Sequence, residues 1–388
     1  MTRSMLARST MPSAQHPQRW DIFCTVVDNY GDIGVCWRLA RQLAVEHGVA
    51  VRLWVDDLAA FARLCPAVAP ALTLQAVGGV EIRGWQQPFP EDITPADVVI
   101  EAFACELPES YVAAMAQLEA RPRWINLEYL SAEAWVADCH GLPSPHPRLP
   151  LTKHFFIPGF DEKSAGLLRE HDLLARHAAF DADRWWADQG GTPAEGALTV
   201  SLFAYENRAV GALLGEWRNS AQQVRCLVTD SRVLPSVSAA IARPLAPGER
   251  YHDGALDLQV LPFMRQEDYD DLLAACDLNF VRGEDSLVRA IWAGKPFVWH
   301  IYPQDDDAHR VKLDAFLERY CVGLSPAADD ALRAFWHGWN AENATVERWQ
   351  AFAAHLPEIA AHTRIFCDRL AQLPDLAKTL ADFCSAPV

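Results

Sequence analysis

The sequence has none of the cysteine patterns that mark metal-binding or disulfide-rich domains. Its ten cysteines are scattered, without a Cys-x-x-Cys pair and without a Cys/His cluster at zinc spacing. Several lie in apolar surroundings, as Cys226 and Cys276 do. We therefore expect reduced core cysteines, which are typical of cytosolic proteins.

Positive charge is also scarce, since 34 Lys and Arg residues stand against 51 Asp and Glu residues and give a net charge of −17. This balance argues against nucleic acid and anionic membranes as partners and suits a basic protein partner. No run approaches the roughly 20 apolar residues of a membrane span. Residues 1–18 lack the apolar stretch of a signal peptide. We expect a soluble, cytoplasmic protein that binds neither membranes nor nucleic acid.

The sequence does contain two successive series of apolar strand patterns alternating with helical segments. The first series has strand patterns at 22–27, 50–55, 80–82, 98–101 and 123–128, and the second at 198–203, 224–228, 256–261, 278–281 and 296–300. Such alternation predicts βαβ units and mostly parallel sheets. The intervening stretch from 128 to 160 is rich in Pro and Gly, and we predict no regular element there.

Residues 28–34, with the sequence DNYGDIG, connect the first predicted strand to the first helix. In an open α/β sheet such turns lie at the carboxyl ends of the strands, where ligands bind. Gly31 and Gly34 would let the backbone approach a ligand closely, and Asp28 and Asp32 would place two carboxylates there. The structural alternative is that Asp28 caps a turn and Asp32 stands in the first turn of the helix.

In the second series, residues 282–286 lie between a strand and a helix. A helix N-terminus offers free N–H groups to a diphosphate, and Arg282 and the Ser286 hydroxyl would add donors. Alternatively, Asp285 or Ser286 only caps the helix. Four such loops on one sheet edge indicate a binding site. The other three carry side chains suited to stacking on a base or hydrogen-bonding its edge: Tyr205, Phe263, Gln266 and Tyr302.

Motifs between about residues 23 and 302 resemble the EarP family, bacterial protein-arginine rhamnosyltransferases that modify translation elongation factor P. The DNYGDIG loop, the segment from 163 to 170 and the four loops of the second half carry this resemblance. Ser164-Ala165-Gly166 replaces the family's Thr-Gly-Gly. The resemblance implies an inverting transfer of L-rhamnose from dTDP-β-L-rhamnose to an arginine of elongation factor P, giving an α-rhamnosyl-arginine.

The resemblance also assigns residues. Asp28, Asp32 and Glu284 match activity-critical carboxylates. Because an arginine acceptor must lose a proton as it attacks, we assign Asp32 as general base and Asp28 as its partner, with the opposite assignment open. Glu284 would position the donor. Positions that match donor-binding residues are Tyr205, Phe263, Gln266, Arg282, Glu284, Asp285, Ser286 and Tyr302, and we add the loop residues Asn29, Tyr30 and Gly31 as substrate-binding.

The predicted fold class is α/β: a GT-B glycosyltransferase fold, with two Rossmann-like domains facing a central cleft. The predicted units are a disordered tail at 1–18, an acceptor domain at 19–175, a donor domain at 176–364 and a helix within 365–388 that crosses back to the first domain. No GxGxxG follows either first strand, which disfavours a nicotinamide-dependent oxidoreductase.

We predict no metal and no cofactor beyond the dTDP-rhamnose co-substrate. The second half has no Asp-x-Asp pair at a strand end, and we interpret the acidic run at 305–307 as a solvated helix cap. Two alternatives stay open. One is a GT-B transferase with another nucleotide sugar or acceptor, and the other is a non-catalytic binder of elongation factor P or of a nucleotide.

Overall fold

A computed structural model describes residues 18–27, 30–304 and 307–386. Within these ranges the strands form two sheets, one from each half of the chain. None of the described helices is long and apolar enough to cross a membrane. The two series of strand patterns seen in the sequence thus correspond to two separate sheets.

The first sheet has eight strands, of which only the edge strands β3 and β7 run antiparallel to their neighbours. Its spatial order is β3-β4-β2-β1-β5-β6-β8-β7. The strands are β1 (Arg19–Cys24), β2 (Ala50–Val55), β3 (Leu74–Val77), β4 (Val80–Gly84), β5 (Val98–Ala102), β6 (Arg123–Leu127), β7 (Pro143–Pro145) and β8 (Thr152–Phe156).

The second sheet has six strands in the order β11-β12-β10-β9-β13-β14, and only β11 is antiparallel to its neighbour. Its strands are β9 (Leu198–Leu202), β10 (Val224–Thr229), β11 (Arg250–Asp253), β12 (Leu256–Leu261), β13 (Leu278–Arg282) and β14 (Phe297–His300).

Helices follow most of the parallel strands, as expected for βαβ units. The first six are α1 (Gly31–Glu46), α2 (Leu58–Leu64), α3 (Glu109–Gln117), α4 (Val136–Cys139), α5 (Leu173–Ala178) and α6 (Ala182–Asp188). The rest are α7 (Val210–Asn219), α8 (Leu234–Ala240), α9 (Gln266–Ala275), α10 (Asp285–Ala293), α11 (Ala308–Tyr320), α12 (Pro326–Asn340), α13 (Val346–Ala354), α14 (Leu356–Ala371) and α15 (Leu376–Ser385).

Strand β1 is buried from Trp20 to Cys24 because both of its faces are covered. Trp20, Ile22 and Cys24 belong to the core on the α1 side of the sheet, whereas Phe23 packs in the opposite core. The Phe23 ring stacks on Trp54 of β2 at a centroid distance of 5.6 Å and an interplanar angle of 6°. This alternation is the period of two that a strand imposes on its side chains.

The first strand ends earlier than predicted. We expected it at 22–27, but it covers Arg19–Cys24. After Cys24 the backbone N–H of Val26 donates to Asp56 Oδ1 at 2.9 Å, and that of Val27 donates to Asp32 Oδ2 at 3.0 Å. These backbone N–H groups bond carboxylates and not a neighbouring strand. The apolar sequence pattern therefore extends beyond the end of the strand.

The prediction of no regular element between 128 and 160 is wrong. Helix α4 and strands β7 and β8 lie there, and β8 pairs in parallel with β6. Edge strands β3 and β11 were also not predicted. All these strands lie at or near a sheet edge and are partly exposed, so their stability comes from backbone pairing and not from an apolar pattern.

The end of the chain packs on the core of the first sheet. Leu376, Ala377, Leu380 and Cys384 of α15 lie in the same core as Ile22 and the buried face of α1. Leu167 and Leu173, by contrast, pack in the core of the second sheet. The domain boundaries proposed from the sequence stay predictions.

Strand order locates the crevice in each sheet. Strand β1 lies between β2 and β5, and β9 lies between β10 and β13, so the connections that leave the adjacent strands β1 and β5, and likewise β9 and β13, run in opposite directions. Such switch points open a crevice at the carboxyl ends of the strands. The loops after β1, β5, β9 and β13 are therefore expected to line a ligand site.

We predict that Leu380→Ala lowers the free energy of unfolding by about 2–5 kcal/mol, because it removes a fully buried side chain and leaves a cavity under α15. Urea denaturation followed by circular dichroism measures the change. Ile365→Ala is the control, since Ile365 is 66% exposed on α14 and should change stability by less than about 0.5 kcal/mol. Equal stability of the two variants would show that α15 does not anchor to this core.

Candidate active site

A cleft of about 600 Å³ lies where the carboxyl ends of both sheets meet. It is lined by the loops that follow β1, β5 and β6 of the first sheet and β9, β10, β12, β13 and β14 of the second. Asp28 and Asn29 lie outside the described residues. All other predicted site residues line this cleft: Tyr30, Gly31, Asp32, Tyr205, Phe263, Gln266, Arg282, Glu284, Asp285, Ser286 and Tyr302.

Asp32 lies in the first turn of α1 and is 5% exposed. Its Oδ2 accepts the hydrogen bond from Val27 N at 3.0 Å, which holds the carboxylate at the end of β1. The position also favours a negative charge because of the helix dipole. A buried carboxylate is thus fixed at the wall of the cleft by the backbone of its own loop.

Helix α10 begins at the opposite wall without a side-chain cap. Glu284 is the N-cap residue, and Gly283 before it has φ 65°, the left-handed conformation that glycine tolerates best. The alternative in which Asp285 or Ser286 caps the helix is therefore not what the structure has. Ser286 Oγ accepts from Arg282 N at 3.1 Å and donates to Arg282 O. The Ser286 hydroxyl therefore closes the turn, and its donation to a diphosphate stays a prediction.

Glu284 bridges the two walls. Its Oε2 accepts the hydrogen bond of Leu130 N at 2.8 Å, from the segment that follows β6 of the first sheet. A carboxylate of the second half is thereby oriented by the backbone of the first half. The sequence could not predict this contact, because more than 150 residues separate Leu130 from Glu284.

Arg282 is held among aromatic rings. Its guanidinium carbon lies 4.6 Å from the ring centroid of Tyr205 and 4.8 Å from that of Phe203. The Tyr205 ring meets Tyr302 edge-on at 5.5 Å. Behind Tyr205, burial and the Arg282 charge lower the pKa of His300 to about 3, so that imidazole is neutral. Of this pair, Arg282 and not His300 therefore carries a positive charge.

Phe263 and Tyr30 bring the two halves into contact at the mouth of the cleft. Their rings meet edge-on at 5.3 Å, and the Arg63 guanidinium lies 5.3 Å from the Phe263 centroid. Phe263 is only partly buried. Its position at the cleft is compatible with stacking on a base, although Arg63 already lies over the ring.

Gln266 is buried at the boundary between the halves. Its Nε2 donates to Gly34 O at 3.0 Å, whereas its Oε1 is buried and has no hydrogen-bond partner among the described residues. Gly34 is therefore small for a reason that differs from the prediction. A Cβ there would lie 3.1 Å from Gln266 Nε2, so this glycine accommodates a side chain of the other half.

A buried ionic network extends from the wall of the cleft, where Arg38 and Asp285 lie, into the contact between the two halves. The Arg38 guanidinium contacts Asp270 at 3.1 Å, Asp285 at 3.1 Å and Glu170 at 3.5 Å. Arg289 pairs with Asp270 at 2.7 Å and with Glu170 at 2.8 Å. Burial alone raises the pKa of Asp270, but Arg289 and Arg38 outweigh it and leave that pKa below its ordinary value.

The sequence interpretation missed several residues of the cleft. Phe103 has φ 56°, and its ring stacks on Tyr129 at 4.8 Å. Both residues follow strand ends, so the rule that found Tyr205 could have found them. The others lie on helices or in a further loop, where only tertiary packing brings them to the cleft: Arg38, Arg63, Arg232 and Lys312.

No group of three or more His, Cys, Asp or Glu residues in the described part of the chain is placed to hold a metal ion. Of the acidic run, only Asp307 is described, and it directly precedes α11 without a side-chain cap bond. All ten cysteines are described, and each is a free thiol.

Two parallel sheets with one shared cleft at their carboxyl edges define a glycosyltransferase of the GT-B class. The chain is similar in fold to a UDP-glucosyltransferase from Polygonum tinctorium, with a TM-score of 0.54 at 12% identity over 97% of this chain and 100% of that one. The chain belongs to the family described as Elongation-Factor P (EF-P) rhamnosyltransferase EarP, whose model matches residues 20–385. The resemblance found in the sequence is thereby confirmed.

Curated relatives carry the name protein-arginine rhamnosyltransferase. One from Pseudomonas aeruginosa is 50% identical over 370 residues, 94% of this chain and 98% of that one. One from Shewanella oneidensis is 40% identical over 97% of this chain and 99% of that one. A solved structure described as the structural basis for EarP-mediated arginine glycosylation of translation elongation factor EF-P has a TM-score of 0.68 at 39% identity, covering 94% of this chain and 98% of that one.

The buried network predicts a pH-dependent stability. Burial raises the pKa of Glu170, but Arg289 and Arg38 outweigh it and lower that pKa from 4.5 to about 2. Because the folded-state pKa is depressed, the stabilisation is complete above pH 4.5 and disappears as the pH falls to about 2. We predict that Glu170→Gln costs roughly 3 kcal/mol of unfolding free energy at about pH 7.

Urea denaturation of both proteins between about pH 7 and pH 3 measures this difference, which should fall by more than half at the acid end. Glu195→Gln is a control, since Glu195 is exposed and has no ion pair among the described residues. A difference that stays constant with pH would show that Glu170 stabilises the protein by packing and not by its charge.

Proposed function

We propose that this protein transfers L-rhamnose from dTDP-β-L-rhamnose to an arginine side chain of translation elongation factor P. Its membership of the EF-P rhamnosyltransferase family supports the acceptor and the sugar. The observation that carries the proposal is the shared cleft, lined by buried Asp32 on one side and by the N-terminus of α10 on the other. Acceptor activation and donor binding then take place at opposite walls of one site.

The donor lies along the wall formed by the second half. Arg282 and the free N–H groups of the first turn of α10 bind the diphosphate, where both charge and dipole favour an anion. Gln266 Oε1, a buried acceptor without a hydrogen-bond partner among the described residues, accepts from the N3–H of thymine. Phe263 stacks on the base, and Tyr205 and Tyr302 border the sugar and phosphates.

The acceptor guanidinium enters from the first half. It is protonated at any cellular pH, so it must lose a proton as it attacks. Asp32 takes that proton as general base and Asp28 orients the acceptor, with exchanged roles as the alternative. The nitrogen lone pair forms the new bond to C1 while the bond from C1 to the diphosphate oxygen breaks. Attack opposite the leaving group converts the β-donor into an α-rhamnosyl-arginine.

The leaving dTDP carries the negative charge that develops during transfer. That charge is stabilised by Arg282, by the backbone N–H groups at the start of α10 and by the helix dipole. The proposed reaction therefore requires no metal ion. Glu284, already oriented by the backbone of Leu130, positions the donor sugar. The acidic excess of the chain suits a basic acceptor protein, and its free thiols suit the cytoplasm.

Intact-mass spectrometry of elongation factor P incubated with this protein and dTDP-rhamnose tests donor, acceptor and metal requirement together. We expect a gain of one deoxyhexose on one arginine, unchanged by EDTA. A mass gain that EDTA abolishes would overturn metal independence. Absence of any gain with folded enzyme would overturn the donor or the acceptor, and other nucleotide sugars would then be screened.

Single-residue variants distinguish the proposed roles of the two walls, acceptor activation and donor binding. Asp32→Asn should bind dTDP as tightly as the parent enzyme and lose at least about 100-fold in kcat, because a general base contributes 10²–10⁴-fold. Phe263→Ala should instead weaken dTDP binding by about 5–100-fold, because base stacking contributes about 1–3 kcal/mol. Calorimetric titration with dTDP and steady-state kinetics measure both. Full activity of Asp32→Asn would remove the base assignment, and unchanged affinity of Phe263→Ala would remove the stacking.

A further inference from the structure

Three helices bring the two halves together behind the cleft: α1 of the first half and α9 and α10 of the second. Arg38 on α1 is 4% exposed and hydrogen-bonds both side-chain oxygens of Asp270 on α9, at 3.1 and 3.2 Å. Its Nη2 also donates to the carbonyl of Gln266 at 3.3 Å, and its Nε contacts Asp285 on α10. One guanidinium thus connects three helices.

Each of these helices also carries a group of the proposed site. Asp32 lies on α1 about 9 Å from Arg38 along the axis, at roughly 1.5 Å per residue. Gln266 begins α9, and Glu284 directly precedes α10. Because a helix moves as a rigid rod over so short a distance, a displacement at Arg38 displaces Asp32 relative to the second half.

The same contacts involve the donor-side residues. Gln266 Nε2 donates to Gly34 O on α1 and lies 3.4 Å from Asp285 Oδ2, so Gln266, Asp285 and Arg38 form one connected set. A nucleotide that hydrogen-bonds Gln266 would fix the orientation of this amide. The amide in turn holds the first turn of α1, where Asp32 lies.

We propose that Arg38 is a positioning residue, which holds the Asp32 wall at its working distance from the donor wall and couples that distance to nucleotide binding. The proposal rests on the proposed function for the roles of Asp32 and Gln266. Arginine suits this role because its planar fork bonds two oxygens of Asp270 and still reaches Asp285, which the single ammonium of a lysine does not.

Arg38→Met tests the proposal, and Arg225→Met is its matched control. Arg225 on β10 is also a buried guanidinium, 8% exposed and paired with Asp257, with Nη2 bonded to Gln259 at 2.6 Å. It does not line the cleft. Each variant removes a buried guanidinium together with its ion pairing, so both should lose stability, and only Arg38→Met should lose turnover for a reason other than unfolding.

Kinetics are measured below the unfolding transition of every variant. We expect Arg38→Met to lose about 100-fold in kcat, because a misplacement of roughly 1 Å at the reacting groups can cost that factor, with the KM for elongation factor P little changed. Arg38→Lys should recover part of it, and Arg225→Met should stay within about threefold of the parent. A folded Arg38→Met with parental kcat, or an equal loss in Arg225→Met, would overturn the proposal. If Arg38→Met does not fold, the kcat of Arg38→Lys is compared with that of Arg225→Met, and the same two outcomes would overturn the proposal.

Scanning calorimetry with dTDP gives a readout that needs no turnover. The parent should unfold in one transition that dTDP raises, and Arg38→Met should unfold in two, of which dTDP raises only one. A single transition in Arg38→Met would overturn the coupling. If the parent does not modify elongation factor P at all, the proposed function fails, and the number of transitions still decides whether Arg38 couples the halves.

Discussion

The guanidinium of Arg38, buried between carboxylates of the other half, is the contact on which the arrangement of the cleft depends. Removing such a charge from water is costly unless partners satisfy it, and Asp270, Asp285 and Glu170 do so. Those partners lie on, or pack against, the helices that carry the donor wall. Gln266 and Gly34 extend the same contact into the cleft. The ionic network therefore sets the distance between the two walls, in addition to any stability it contributes.

The cleft itself follows from strand order. In the first sheet the connections that leave the adjacent strands β1 and β5 run in opposite directions, and in the second sheet those that leave β9 and β13 do the same, which opens a crevice at the carboxyl ends of these strands. The halves face each other with these ends together, and α15 returns to pack on the first core. Two ordinary α/β units thus form a site that neither has alone: Asp32 comes from one, Arg282 from the other, and Glu284 is oriented across the gap by Leu130.

Much of this architecture was predictable because parallel sheets buried on both faces leave strong local patterns. The strand at 50–55 was predicted with the bounds it has, and residues 282–286 connect a strand to a helix as expected. The predictions failed where partners lie far apart in the sequence. Strand β8, for example, was missed because its stability comes from pairing with β6.

Local patterns were enough to predict the GT-B fold, the family and the loops that line the cleft, because periodicity and motifs are properties of short stretches of the chain. Tertiary structure alone decided which groups meet. It brought Arg63 and Lys312 from helices into the cleft and left Gln266 with a buried, unpaired carbonyl oxygen among the described residues. It also placed Arg38 between the halves. The physical reason is that burial, desolvation and ion pairing depend on distances between residues remote in sequence, and no local pattern encodes those distances.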